Sequence, residues 1–199
     1  YDKYEEEYIN NLNKIDYPNR ILIYGDINLN IIDGSTIWLT NLTNMLMNKY
    51  FEEPNITILL KYDISNKINI ENIIKIDKIN ILEPHKYNKK YLKPEDIKEI
   101  IINEGNNYNN IIIRGHNIIK EFNEEDGILN KITFYGLNNI QEVKNILNKS
   151  KFVACQTPFI LDKYRDSGIN NNKMILLPPL INQYIIPTFK RNGYKFIYI

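Results

Sequence analysis

RILIYGDINLNIIDGSTIWLTNLTNMLM, Arg20 to Met47, decides the reading of this chain. Ile21 to Tyr24 is a continuous apolar run rich in β-branched side chains, the pattern of a strand covered on both faces. Gly25 and Asp26 then open a loop, and Asp33-Gly34-Ser35 supplies helix-start residues ahead of a long amphipathic stretch. Trp38, Leu42, Met45 and Leu46 recur on one helical face, so Trp38 is read as core rather than as a stacking platform. Strand, small-residue turn and helix start together form the unit with which open α/β sheets bind anions. The free amides of the first helical turn face whatever sits above the strand's carboxyl end.

The same rhythm repeats outward from this stretch. NITILLKY (55–62), KINILEP (78–84), NNIIIRGH (109–116), KITFYG (131–136), KFVACQTP (151–158) and KMILLPPLI (173–181) read as further strands. Helices are expected between them. One starts at Pro94-Glu95-Asp96, runs to Glu104 and is closed by Gly105; another covers 137–150; a third opens at Thr157-Pro158 and is capped by Gly168. The alternation predicts right-handed βαβ crossovers, hence an α/β fold: a Rossmann-like doubly wound, mostly parallel sheet of about seven strands with helices on both faces. An amphipathic helix is expected at 3–14, and the division reads as an N-terminal helix or linker at 1–19, the Rossmann-like domain at 20–186, and a linker with the first strand of a further domain at 187–199.

Composition narrows the class. Of 199 residues, 43% are apolar and 25% charged, which is the balance of a folded globular domain. The net charge is +1 and lysines are interspersed with acids, so the basic stripe of a nucleic-acid binder is missing. One cysteine, Cys155, sits in the apolar run FVAC and is expected to be an inert core thiol in a reducing, cytoplasmic setting. No apolar run approaches the roughly 20 residues of a membrane span, although peripheral contact with the inner membrane face is compatible with this composition. The opening YDKYEEEYINN lacks the apolar segment of a signal peptide, and the missing initial Met suggests a piece of something longer.

Polar residues collect where the expected strands end: Gly25 and Asp26, Arg114 to His116, Tyr135 with Gly136 and Asn138, and Gln156 with Thr157. In a parallel sheet these ends share one rim, together with Asp33, Gly34 and Ser35, and ligands bind there. Each has a plainer alternative. Asp33 or Ser35 can serve only as helix N-cap, Gly34 only as a tight turn, and Arg114 only as a structural ion-pair partner. His116 has the stronger functional claim because it lies at a strand end, whereas His85 in a Lys-rich loop reads as solvated. The chain lacks G-x-G-x-x-G, which disfavours a dinucleotide cofactor, and its two His and one Cys show no metal-ligand spacing. No G-x-S-x-G elbow is present.

The order strand, GD-x(6)-DGS-helix, IIIRGH, ITFYG, FVACQTP and MILLPPLI resembles the N-terminal half of a GT-B glycosyltransferase of the retaining, family 4-like type. The resemblance covers about residues 20 to 199 and rests on the order and placement of these segments. It implies transfer of a sugar from a UDP- or GDP-sugar to a hydroxyl of a glycan, lipid or protein, with no cofactor and no metal. It also implies a C-terminal domain that holds most donor contacts, leaving this chain inactive by itself. On that resemblance Gly34 and Ser35 bind the donor diphosphate, Arg114 and His116 are catalytic, and Asp26, Asp33, Tyr135, Asn138 and Thr157 bind the acceptor. Tyr135 and Gly136 stand where such enzymes commonly carry a His-Asp pair, a departure that leaves room for a non-catalytic binding or scaffolding domain of a larger surface-polysaccharide protein.

Overall fold

The computed structural model describes residues 20–31, 33–49, 55–65, 79–135 and 140–177. The expected helix at 3–14, the linker and strand at 187–199, and Asn138 lie outside these residues. Seven strands form one sheet: β1 (Arg20–Gly25), β2 (Asn55–Leu59), β3 (Ile79–Leu82), β4 (Asn110–Arg114), β5 (Ile132–Tyr135), β6 (Phe152–Cys155) and β7 (Met174–Leu176). Their order is β3-β2-β1-β4-β5-β6-β7 and all six pairings are parallel, which makes the fold the expected Rossmann-like α/β sheet. β1 lies between β2 and β4, so the chain order reverses at the β1/β4 boundary.

Side-chain alternation divides the core between the two faces of the sheet. Ile21 and Ile23 of β1, Ile56 and Ile58 of β2, and Ile112 of β4 meet Trp38, Leu39, Leu42 and Leu46 from α1 (Gly34–Lys49). Leu22, Tyr24, Ile111 and Ile113 point to the other face. There they pack under Ile97 and Ile101 of α2 (Pro94–Glu104), Ile118 and Ile119 of α3 (His116–Ile119), Ile146 and Leu147 of α4 (Lys144–Lys149), and Tyr164 of α5 (Pro158–Asp166). Burial on both faces explains why the strands read as unbroken apolar runs.

Helix α2 ends at Glu104 and Gly105 closes it as expected, in a right-handed conformation (φ −60°) that leads into a short 3-10 turn, Gly105–Asn107. A Cβ there would come within 2.5 Å of Ile128 Cδ1, so any larger residue makes that side chain shift. The single helix expected over 137–150 is a 3-10 turn, Gln141–Val143, followed by the six-residue α4, with the join at Val143 (φ −117°, ψ 10°). The strands are also shorter than their apolar runs, because pairing stops before the buried loops that continue them. Gly168 is left-handed as expected, with φ 84°.

Candidate functional site

The β1/β4 switch point is built by backbone first. Asp26 N donates to Arg114 O at 3.1 Å, extending the pairing one residue past the strand end. Gly115 follows with φ 133°, a conformation open to glycine, and a Cβ there would sit 3.3 Å from Asp26 Cβ. Gly25 makes room on the α1 face, where a Cβ would strike Ile27 Cδ1 at 2.5 Å and approach Trp38 Cζ3 at 3.7 Å. The two glycines therefore let β1, β4 and the first turns of α1 converge.

Around this point Arg114, Ser35, Trp38 and Tyr135 form one group. Arg114 Nη1 donates to Ser35 Oγ at 2.8 Å, and its guanidinium carbon lies 5.3 Å from the Trp38 ring centroid. Trp38 stacks on Tyr135 with centroids 5.0 Å apart and planes at 23°. Tyr135 is 1% exposed, and burial raises its pKa against the opposing influence of Gln156, Arg114 and Trp38. Trp38 Nε1, Arg114 Nε and Tyr135 Oη are buried with no hydrogen bond of good geometry among the described residues, although Trp38 Nε1 and the Gln156 side chain lean toward Tyr135 Oη.

Asp33 caps α1: its Oδ1 accepts from Ser35 N at 2.8 Å and Thr36 N at 2.9 Å. The Thr36 amide is the main reason its carboxyl is held below the usual range; burial opposes it, and Ser35, the Thr36 hydroxyl and Arg114 add to the lowering. The helix-start amides are thus already engaged by an internal carboxylate. Gly34 faces open space, with nothing within 4 Å of where its Cβ would be. Asp26 pairs with Lys61 Nζ at 2.8 Å; burial opposes the lysine's charge, and the Asp26 carboxylate together with Tyr62 outweighs it, so the pKa of Lys61 rises.

Other expected site residues stand apart from this group. His116 begins α3, on the opposite face from Arg114, and forms no hydrogen bond with Arg114 or Ser35; its Nδ1 is buried without a partner among the described residues. Its electrostatic neighbour is Glu142, whose carboxyl is held low first by Lys120 and then by His116. Thr157 caps α5, accepting from Ile160 N at 3.2 Å. Cys155 is buried and its thiol is pushed up to about 12 by desolvation, which leaves it protonated and inert.

His85 is more than a solvated side chain. Its Nδ1 lies 2.9 Å from Asp63 Oδ1, and its backbone N donates to the same oxygen at 3.2 Å. With Glu83 these residues form a cluster whose ligand-type atoms all lie within 4.8 Å of one another. Glu83 is already engaged, accepting from Ile64 N at 2.9 Å. Asn30 extends the network by donating to Asp63 O at 2.9 Å and accepting from Ser65 N at 2.7 Å. Sequence reasoning passed over Asn30, Lys61, Asp63 and Glu83 because their partners lie 19 to 35 positions away. The one usable signal was that each follows a strand or lies in the first rim loop.

No family model matches the chain, and no match was found among curated proteins. No helix among the described residues is long and apolar enough to cross a membrane. Among solved structures, the chain is similar to HepE of Anabaena, determined in complex with UDP and glucose, at 11% identity and a TM-score of 0.48. The alignment covers 81% of this chain and 44% of that one, so the chain spans less than half the length of that protein.

Proposed function

We propose that this domain forms the acceptor-side half of a cleft in which a glycosyl group passes from a nucleoside diphosphate sugar to a hydroxyl, the other half coming from a second domain. The observation that carries this reading is the Arg114–Ser35 contact at the β1/β4 switch point, where open parallel sheets bind their ligands. Support also comes from the order of strand-end motifs along the sequence. In this reading Gly34 and Ser35 approach the donor diphosphate, and Gly34's open surroundings give a phosphate room to come close. Arg114 and His116 hold phosphate or acceptor oxygens from the two sides of the β4 end, with configuration retained. Asp26, Asp33, Tyr135, Asn138 and Thr157 border the acceptor.

Preorganised positive charge next to a leaving diphosphate stabilises the charge that develops in the transition state. Here that charge comes from Arg114 more than from the helix amides, since Asp33 occupies the latter. The same Asp33 cap, together with Tyr135 standing where a catalytic pair is expected, favours a second reading: a non-catalytic binding or scaffolding domain.

Calorimetric titration with UDP- and GDP-sugars tests the reading. A form carrying both halves of the cleft is expected to bind one of them with about micromolar affinity and to transfer or hydrolyse its sugar, whereas residues 1–199 alone turn over none. In that form His116→Ala is expected to lower turnover about tenfold or more while shifting the melting temperature little. Absence of heat with every nucleotide sugar removes the enzyme reading and leaves the scaffold.

A further inference from the structure

The stack of Trp38, Arg114 and Tyr135 is not explained by packing alone. Three polar atoms in contiguous side chains, Trp38 Nε1, Arg114 Nε and Tyr135 Oη, are buried without a hydrogen bond of good geometry among the described residues. Trp38 is 6% exposed and Tyr135 1%. Trp38 Nε1 and the Gln156 side chain lean toward Tyr135 Oη without reaching good hydrogen-bond geometry, so the indole N–H is poorly met and the Arg114 Nε–H and the tyrosine hydroxyl proton still lack an acceptor. Buried polar groups in folded proteins are overwhelmingly satisfied, and three poorly met donors in one stack call for a specific cause. Moreover, among the described residues no carboxylate forms an ion pair with Arg114, although Asp26 at the same switch point has Lys61. Among the described residues its guanidinium's one hydrogen bond is to a neutral hydroxyl, Ser35 Oγ, and the Asp33 carboxylate acts on it only at longer range.

We propose that this stack is an oxyanion site, in which Arg114, Trp38 and Tyr135 together donate to a phosphate or carboxylate group of a ligand entering from the rim beside Ser35. The assignment rests on reading that rim as the ligand edge of the sheet. A guanidinium binds an oxyanion through two parallel donors, and a charge-assisted pair is stronger than its bond to a hydroxyl. Arg114 is the partly exposed member of the set and lies against the Trp38 ring, so leaving Ser35 for an anion moves the side chain that borders the indole.

Trp38 is the only tryptophan, which makes indole fluorescence of the 199-residue chain a direct probe of the site. Inorganic phosphate and pyrophosphate form one arm, acetate and glucuronate the other, with glucose and sodium chloride at matched ionic strength as controls. A saturable change with the first arm alone assigns a phosphate, and with the second alone a carboxylate; either supports the site. Arg114→Gln is expected to weaken the response about tenfold or more, Arg114→Lys less, and Tyr135→Phe about threefold. Circular dichroism and melting curves accompany each variant. Responses no different from chloride, or affinities unchanged in both Arg114→Lys and Tyr135→Phe, overturn the proposal. Phosphate binding by this chain, with no nucleotide-sugar binding by the form that carries both halves of the cleft, keeps this site and refutes the glycosyl-transfer reading. Nucleotide-sugar binding that is indifferent to Arg114 and silent in Trp38 does the reverse.

Discussion

Gly115 shows how little freedom the switch point has. Its φ of 133° and ψ of 137° lie where side chains are strained, and the space a Cβ would take is bounded by Asp26. Gly115→Ala is therefore expected to cost about 1–3 kcal/mol, read as a lowered denaturant midpoint. The substitution also pushes Asp26 and Arg114 apart, so ligand binding at Arg114 should weaken beyond what the stability loss explains. The arginine could be placed from the sequence, since the end of a buried strand is where a charge escapes the core. Its contacts with Ser35 and Trp38, 79 and 76 positions away, could not.

Helix α2 illustrates the same division at the level of an element. Pro94 followed by Glu95 and Asp96 announced its start, and the helix runs over Pro94–Glu104 as those residues predict. Asp96 reaches back to accept from Lys93 N at 2.9 Å, and Lys89 Nζ lies 2.8 Å from it. The bond from Lys89, then that from the Lys93 amide, holds the Asp96 carboxyl below its ordinary value. Asp96→Ala should cost about 1 kcal/mol through loss of the cap, and the difference from wild type should vanish as the pH falls through the Asp96 range. Urea unfolding of both proteins at neutral and acidic pH checks this. The helix also ends at Glu104 with Gly105 closing it, as expected, but Gly105 stays right-handed and Ile128 packs where its Cβ would be, a contact that arises only once the following loop folds back.

Across the whole molecule the two edges of the sheet differ in chemistry. At the amino-terminal edge lysines serve structure: Lys131 Nζ donates to Gly105 O at 3.3 Å, Lys173 Nζ to Ser150 O at 2.7 Å, and Lys151 Nζ to Asn110 Oδ1 at 2.6 Å. Burial lowers the pKa of Lys151 to about 8 from 10.5. Because the folded value lies below the unfolded one, the buried charge penalises the fold fully below pH 8, and that penalty is relieved as the pH rises toward 10.5. Stability relative to Lys151→Met should thus increase over that window, measurable by thermal melts at pH 7, 8, 9 and about 10. A flat difference would show that the ammonium is solvated.

The architecture follows from the order of residues alone, because strands covered on both faces must be apolar throughout and the helices between them must carry a stripe. Those are local, periodic properties of the chain. That order also places the rim, since polar residues at strand ends share an edge whenever the sheet is parallel. Which rim residues meet depends on the folded arrangement. It set Ser35, Trp38, Arg114 and Tyr135 in one stack and His116 on the opposite face, and it joined Asp63 to His85. Those pairings depend on strand order and on two-residue alternation at the sheet edge, which bring together positions far apart in the chain. No local pattern records them, and the donors left poorly met at Trp38, Arg114 and Tyr135 become visible only when their neighbours are in place.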